Sequence, residues 1–214
     1  MSNNVNVINN VGKDVLVTVS NKDGNTQIII DLPSNKVELS TLLPGDTFKS
    51  NDVEYIVLEQ FGNGTTGVIT KELLKDGMRF ESDNNNWKTS NIRRKLNEEY
   101  LKELVFGEEN IVEHTVDLLS LDGLNDYGPS TDKVRLLTID QYRKYRKILG
   151  ENKDKWWWLS TPDSTPTGYG SGLVRCVGSG GDVGCGWCGR VRGVRPFCIL
   201  KSSIFVSTCD KVEG

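Results

Sequence analysis

The sequence predicts an α+β fold, a domain with two helices and a small antiparallel sheet preceded by an N-terminal β-hairpin. Three observations lead to this prediction. Apolar residues recur at helical spacing in two segments, 90–104 and 139–149. Short runs of strand composition lie before and after these segments and do not alternate with them, which favours α+β over a doubly wound sheet. The first 32 residues carry two apolar runs around a polar turn.

The N-terminal hairpin is predicted from those two runs. Val15-Leu16-Val17-Thr18-Val19 and Ile28-Ile29-Ile30 flank a turn sequence at 21–25 that contains Asp23-Gly24. A breaker cluster at 33–35 then places the boundary between an attachment or oligomerisation segment, residues 1–34, and the main domain, residues 35–214. An isolated two-stranded hairpin is marginally stable in water. We therefore expect it to pack against the main domain, another copy of the chain or a larger assembly.

The main domain begins with strands at 53–58 and 67–70 around a Gly62-Asn63-Gly64 turn. Ser90 and Thr138 are capping residue types at the starts of the two predicted helices. The apolar stripes of the helices are Ile92, Leu96, Tyr100 and Leu104, and Ile139, Tyr142, Tyr145 and Leu149. The remaining predicted elements are extended chain at 110–119 and strands at about 156–160, 173–177, 193–200 and 203–207.

Composition excludes several classes of partner. The 26 basic and 29 acidic residues leave a net charge of -3, which gives no overall attraction to nucleic acid or anionic membranes. No apolar run approaches the length that spans a bilayer, and the polar start at Met1 lacks the regions of a signal peptide. We expect synthesis in the bacterial cytoplasm, no membrane insertion and no nucleic-acid partner. All five cysteines lie after residue 175, a poor framework for a secreted domain, and are expected to be mostly free thiols.

The segment from Gly168 to Gly193 is the most unusual part of the chain. It holds ten glycines, three cysteines and three arginines, and it lacks Lys, Glu, Gln and Met, although Lys and Glu are frequent before it. One explanation is a loop selected only for tight turns. The other concerns codons. Codons that end in a pyrimidine encode Gly, Ser, Cys, Arg, Val, Leu, Asp and Tyr but never Lys, Glu, Gln, Met or Trp, so randomising their first two bases would give this composition.

Two apolar strands bracket this segment and carry a resemblance. They are Trp156-Trp157-Trp158-Leu159-Ser160-Thr161-Pro162 and Gly193-Val194-Arg195-Pro196-Phe197-Cys198-Ile199-Leu200, with Lys88-Thr89-Ser90-Asn91-Ile92-Arg93 and Leu136-Leu137-Thr138 upstream. Over roughly residues 36–209 the chain resembles a bacterial and phage domain family of unassigned function. Its members share a C-type-lectin-like plan with formylglycine-generating enzymes and with the variable proteins of diversity-generating retroelements.

The resemblance implies a fold and a way of making a binding surface. In those variable proteins a template-directed process mutates adenines in a short region near the C-terminus, and the lectin-like fold displays the altered residues to a ligand. Trp187 departs from the codon pattern, so either this position is fixed or the segment is not diversified. Arginines and large aromatics supply much of the binding energy at interfaces. The predicted ligand-binding surface comprises Tyr169, Ser171, Leu173, Arg175, Ser179, Asp182, Cys185, Trp187, Cys188, Arg190 and Arg192.

Other residues in the same strands are predicted to serve the framework. Arg195 is expected to bond carbonyls or a carboxylate within the fold, and at least one or two of Trp156, Trp157 and Trp158 are expected to be buried, because neighbouring residues of a strand face opposite sides. His114, the only histidine, lies in an apolar context and is predicted to be structural.

Cys185 and Cys188 leave a catalytic or metal-binding alternative open. Their CxxC spacing is that of a zinc knuckle or redox centre, with Cys176 or Cys198 as a third thiolate, and formylglycine-generating enzymes work through cysteines near the C-terminal part of the domain. The flanking residues of that enzyme site are not recognisable here. The oxygen-rich run Asp117, Asp122, Asn125 and Asp126 fits no calcium loop and is predicted to be a solvated turn.

These observations lead to one functional prediction and two alternatives. The first is a non-enzymatic ligand- or receptor-binding protein with no cofactor or metal. It would be a phage or prophage virion component that binds a host-surface or protein ligand, with residues 1–34 contacting a virion or tail partner and with homo-oligomerisation adding avidity. The second is an intracellular formylglycine-generating-like, metal or redox protein that uses Cys185 and Cys188. The third is a purely structural assembly protein.

Overall fold

The computed structural model describes residues 16–22, 25–31, 36–149 and 155–208. Two helices and mostly antiparallel sheets confirm the α+β class. The expectation of a small sheet was wrong, because the largest sheet has eight strands. The strands in chain order are β1 Leu16–Lys22, β2 Asn25–Asp31, β3 Lys36–Glu38, β4 Thr47–Ser50, β5 Val53–Gln60, β6 Thr65–Thr70, β7 Met78–Arg79, β8 Ile111–Val112, β9 His114–Asp117, β10 Pro129–Asp132, β11 Val134–Arg135, β12 Trp157–Pro162, β13 Leu173–Val177, β14 Val183–Trp187, β15 Val191–Arg192, β16 Phe197–Lys201 and β17 Phe205–Thr208.

The N-terminal hairpin is confirmed. Strands β1 and β2 pair antiparallel in a continuous register from Leu16 opposite Asp31 to Lys22 opposite Asn25. The predicted boundary at residue 34 lies outside the described residues, as does most of the segment assigned to attachment.

The large sheet joins the two ends of the main domain. Its strand order is β11-β16-β6-β5-β4-β17-β3, and β8 also pairs with β16. The late strands β16 and β17 therefore hydrogen-bond to strands formed before residue 71. Strand β5 is buried on both faces, with Val57 in one apolar cluster and Ile56 and Leu58 in another. This explains why residues 55–58 in its middle form a continuous apolar run and do not alternate with polar residues.

Helix α1 spans 91–103 and confirms the prediction, with one irregularity. Ser90 caps it by accepting a hydrogen bond from the Arg93 backbone N–H, at 3.2 Å. Its middle, Lys95–Tyr100, is a π-helical segment between two α-helical turns. Within that segment the Asn97 side chain donates to the Val134 carbonyl (2.8 Å) and accepts from the Val134 N–H (3.1 Å), so a tertiary contact accompanies the widened turn.

Helix α2, Ile139–Leu149, begins at a reciprocal cap. The Thr138 hydroxyl accepts from the Gln141 N–H (3.2 Å), and the Gln141 side chain accepts from the Thr138 N–H (3.0 Å). Its predicted apolar stripe is buried and packs on the large sheet and on Trp157. Among the described residues no helix is long and apolar enough to cross a membrane.

A separate three-stranded sheet, in the order β12-β13-β14, carries most of the glycine-rich segment. One face, with Trp158, Val174 and Cys176, belongs to the main apolar cluster. Strand β16 begins at Phe197, later than the predicted start at 193, because Gly193 instead bridges to Trp157 in parallel and Pro196 has no N–H to donate. The predicted extended segment 110–119 contains β8 and β9.

Candidate functional site

Strands β13 and β14 place four of the predicted site residues on one surface. Leu173 lies opposite Trp187, and Arg175 lies opposite Cys185. Directly opposed side chains in an antiparallel pair point to the same side of the sheet. We call these four residues the hairpin face. Leu173 is 38% exposed, Trp187 is 49% exposed, and Cys185 is also exposed.

Helix α2 covers only part of this side of the sheet. Further along the same strands Val177 lies opposite Val183, and both pack in the cluster that contains the helix. The Tyr142 hydroxyl of α2 donates to the Gly181 carbonyl at 2.7 Å and holds the hairpin turn against the helix. The covered half is therefore anchored, and the hairpin face is the half that remains open.

Arg175 is fixed within the hairpin face. Its Nη1 donates to Asp163 Oδ1 at 2.7 Å, and both side chains are largely shielded from solvent. The Arg175 Nε is buried and has no hydrogen-bond partner among the residues that the structure describes. A charge-assisted bond of this kind holds the guanidinium in one orientation.

Glycines in this region allow large side chains to lie directly on the backbone. A β-carbon at Gly172 would lie 2.2 Å from Cζ3 of Trp187, so the indole occupies the space that any other residue would fill. On the opposite side of β14, a β-carbon at Gly184 would lie 2.9 Å from Trp156, and one at Gly186 would lie 2.7 Å from Arg192. These approaches place the indoles and the guanidinium against the sheet.

Two residues of the predicted surface do not belong to it. The Arg192 guanidinium carbon lies 4.8 Å from the Trp156 ring centroid and 5.3 Å from that of Trp158, beneath the sheet and away from the hairpin face. Cys188 is fully buried in the main apolar cluster. Both residues leave the predicted surface for one reason. The chain turns under the sheet after Trp187, and the sequence does not reveal that turn.

The CxxC pair is divided by the same turn. Cys185 is exposed on the hairpin face, whereas Cys188 lies in the core, where burial raises the pKa of its thiol. Cys176, Cys185, Cys188 and Cys198 are free thiols. In the described part of the chain no group of three His, Cys, Asp or Glu side chains is placed to hold a metal ion.

The loop between β12 and β13 is tied down at both ends of its base by Asn85. This fully buried side chain donates to the Ser164 carbonyl (2.8 Å) and to the Leu173 carbonyl (2.7 Å). Its Oδ1 accepts a hydrogen bond from the Tyr127 hydroxyl (2.6 Å). All of the polar atoms of the amide are thus engaged, and the two ends of the loop are held together.

The oxygen-rich run around Asp122 and Asp126 supports the same loop. Asp122 accepts from the Ser164 hydroxyl (2.6 Å), and Asp126 accepts from the Thr167 N–H (3.1 Å) and hydroxyl (2.9 Å). Hydrogen bonds from the hydroxyls of Ser120 and Ser164 lower the pKa of Asp122. The prediction of a merely solvated turn was therefore incomplete, because the carboxylates of Asp122 and Asp126 hydrogen-bond to the loop.

Beyond this anchored base the loop is open to solvent. Tyr169 is 99% exposed, so its side chain makes almost no contact with the rest of the chain. Ser171 is half-buried between Tyr169 and the hairpin face. Arg190 is exposed in the turn that follows Trp187, where its N–H donates to the Trp187 carbonyl at 2.9 Å.

Ser179 and Asp182 are separated from the other predicted site residues. Both are exposed in the turn that joins β13 to β14. The hairpin face lies toward the opposite end of these strands, so the predicted surface divides into a main group around Tyr169 and Trp187 and a distant pair.

The predicted framework residues are buried. Arg195 donates from Nε to the Thr70 carbonyl (2.8 Å) and from Nη2 to the Lys71 carbonyl (3.1 Å), which confirms the expected bonds to carbonyls. Trp157 and Trp158 are fully buried, whereas Trp156 is 36% exposed. The His114 ring packs edge-on to Phe197, as a structural histidine would.

Sequence reasoning missed Asn85 and Asp163, the two residues that fix the base of the loop and the arginine of the hairpin face. The residues around Asn85 do not indicate its hydrogen-bond partners, because two of those partners lie 79 and 88 positions further along the chain. No protein-family model, no curated protein and no solved structure matches this chain.

Proposed function

We propose that the chain is a non-enzymatic ligand-binding protein of C-type-lectin-like plan, and that its recognition surface comprises the hairpin face and the exposed loop tip around Tyr169. The observation that carries this proposal is a contrast within one short segment. The base of the loop is held by Asn85, Asp122 and Asp126, while Tyr169 at its tip is 99% exposed.

This contrast suits binding because a partner gains most from side chains that are exposed but already positioned. Ordering a mobile loop opposes association, so a loop tied at its base loses less freedom on binding. Tyr169 and Trp187 offer large amphipathic surfaces with few rotatable bonds, which is the composition found in antibody paratopes. Arg190 adds an exposed cation in the turn that follows Trp187.

The chemistry of the hairpin face is also varied within a small area. An aliphatic side chain, an ion-paired arginine, a thiol and an indole lie on adjacent positions of two strands. A mixed surface of this type favours a protein or another ligand with both polar and apolar groups. The chemistry of the surface does not identify that ligand, as expected if the surface differs among variants of the protein.

We further propose that this surface is diversified by a retroelement and that the protein is a receptor-binding component of a phage or prophage virion. Glycine codons begin with two guanines, so a process confined to adenines leaves them unchanged at the first two bases. Gly172, Gly184 and Gly186 accommodate Trp187, Trp156 and Arg192. The framework could therefore persist while residues between the glycines change. Trp187 departs from the codon pattern, and its position on Gly172 supports a fixed platform.

The test is to sequence the encoding locus and search for a near-copy of the codons for residues 168–192. The proposal expects differences confined to adenines of the copy, with Tyr169, Leu173, Arg175 and Cys185 among the altered positions and the packing glycines unchanged. Differences spread evenly over all bases, or a locus and its variants with no such copy, would refute diversification. Binding itself is then tested by display of Tyr169→Ala and Ser179→Ala variants against host cells, where only the first should lose attachment.

A further inference from the structure

Strand β14 forms an open edge of the three-stranded sheet. It is the last strand in the order β12-β13-β14, and within the described residues no strand pairs with its outer side. Cys185 and Trp187 on this strand are exposed, and Val183 and Gly184 are half-buried. An edge of this kind presents unpaired backbone donors and acceptors to solvent.

The register fixes which backbone groups point outward. The Gly178 N–H donates to the Asp182 carbonyl, and the Cys188 N–H donates to the Gly172 carbonyl. Hydrogen-bonded and non-bonded pairs alternate in an antiparallel ladder. Gly184 and Gly186 therefore bond to β13, whereas the N–H and C=O groups of Val183, Cys185 and Trp187 point away from it.

Natural edge strands are usually protected against pairing by lysine, proline, a bulge or a covering segment. Strand β14 contains neither lysine nor proline, and its pairing with β13 runs in one uninterrupted register. Among the described residues, the Trp187 carbonyl is the only outward group of this row with a backbone partner, since it accepts a hydrogen bond from the Arg190 N–H. A carbonyl oxygen has a second lone pair, so this group can still accept another bond.

We propose that β14 pairs antiparallel with β14 of a second copy of this chain, about a two-fold axis at Cys185. In this register Cys185 lies opposite Cys185 of the other copy, and Val183 lies opposite Trp187. Every outward N–H then meets an outward C=O. Val183 and Trp187 form a β-branched and aromatic cross-strand pair, a combination that stabilises sheets.

Charge complementarity selects the second copy and its direction. One end of β14 is preceded by the exposed Asp182, and the other end is followed by the exposed Arg190. An antiparallel partner brings the acidic end of each copy beside the basic end of the other, whereas a parallel partner would place like charges together. The same contact occurs twice, as an isologous interface requires.

The pairing extends the proposed function, because it would join two three-stranded sheets into one continuous surface with a hairpin face on each half. Two faces on one body bind a multivalent target with added avidity. The open edge of β14 exists without any ligand, so the pairing can fail or hold independently of the proposed function.

The first experiment measures the mass of the protein by analytical ultracentrifugation under reducing conditions, in a Cys209→Ser background. We expect a reversible dimer. Cys185→Pro removes the outward N–H without touching the ladder to β13 and deletes two bonds of the symmetric pair, so dissociation should become at least about tenfold easier. Cys185→Ala keeps the N–H and should leave the dimer unchanged. A monomer at all concentrations, or a dimer equally stable in both variants, overturns the proposal.

The second experiment requires no proline. Cα atoms of a hydrogen-bonded antiparallel pair lie about 5.5 Å apart, within the range that a disulfide spans. Mild oxidation should therefore give a covalent dimer through Cys185. The matched control is Leu173→Cys in a Cys185→Ala background, which presents an exposed thiol on the same face but away from the edge. Equal crosslinking of the two proteins overturns the register. Hydrogen exchange at the Val183 and Cys185 amides should also slow with protein concentration, and an unchanged rate counts against the pairing.

Discussion

Replacing Asn85 should release the loop that presents Tyr169. Asn85→Ala removes three hydrogen bonds, two to carbonyls at 2.7–2.8 Å and one from Tyr127 at 2.6 Å. A typical buried hydrogen bond contributes about 0.5–1.5 kcal/mol net, so three amount to about 1.5–4.5 kcal/mol. We expect a loss in this range in the free energy of unfolding, measured by urea denaturation, with faster hydrogen exchange in residues 164–173.

An isosteric change separates hydrogen bonding from packing. Asn85→Asp keeps nearly the same volume but places a carboxylate, which has no donor at neutral pH, against two carbonyl oxygens. It should destabilise at least as much as Asn85→Ala, and the defect should shrink on acidification, as the protonated carboxyl regains one donor. Ser179→Ala, an exposed site in the hairpin turn, should stay within about 0.5 kcal/mol of wild type. An Asn85→Asp protein as stable as wild type at neutral pH would refute the role given to the amide.

Three further predictions follow from the described contacts. Gly172→Ala should displace the Trp187 indole, since the new β-carbon would lie 2.2 Å from it, and acrylamide should then quench tryptophan fluorescence more strongly; Gly180→Ala, whose nearest neighbour is 3.7 Å away, should leave quenching unchanged. Burial, together with the nearby charge of Arg135, lowers the pKa of His114 from 6.5 to about 4, so the unfolded chain takes up the proton first as the pH falls. The free energy of unfolding should therefore decrease by up to about 3 kcal/mol between pH 6.5 and pH 4. The His114→Gln variant should lack that decrease. In a Cys209→Ser background at pH 8, an alkylating reagent should modify Cys185 first, because burial raises the pKa of Cys176 to about 11 and that of Cys198 to about 12; rapid labelling of either buried thiol in the folded protein would contradict the assigned core.

The elements that the sequence predicts correctly are those specified by local spacing. Both helices follow from apolar stripes behind a capping residue, and both form as expected. The π-helical segment could not be predicted, because the contact that accompanies it joins Asn97 to Val134, 37 positions away. The eight-stranded sheet was underestimated for a related reason. Strands such as β3 and β11 are only two or three residues long and exist through pairing with distant segments.

The candidate site likewise contains some features that follow from local sequence spacing and others that depend on distant contacts. Leu173 and Arg175 alternate along the predicted strand 173–177, and the register with β14 adds Cys185 and Trp187 to the same side of the sheet. Strand β14 itself was missed, since Gly184 and Gly186 give its sequence little strand character. The misplaced pair, Cys188 and Arg192, follows a turn whose direction is set by contacts beneath the sheet.

Packing accounts for most glycines in the segment from Gly168 to Gly193, and this changes how its composition is interpreted. Only Gly170 and Gly181 have a positive φ, so a selection for tight turns explains two of the ten. At Gly172, Gly184 and Gly186, by contrast, a β-carbon would collide with a large side chain. These three glycines are thus a consequence of the tryptophans and the arginine that lie on them, and they are no sign of diversification. That hypothesis depends instead on the residues between the glycines, and above all on Tyr169, Leu173 and Cys185, whose exposure leaves the fold free to accept other side chains there.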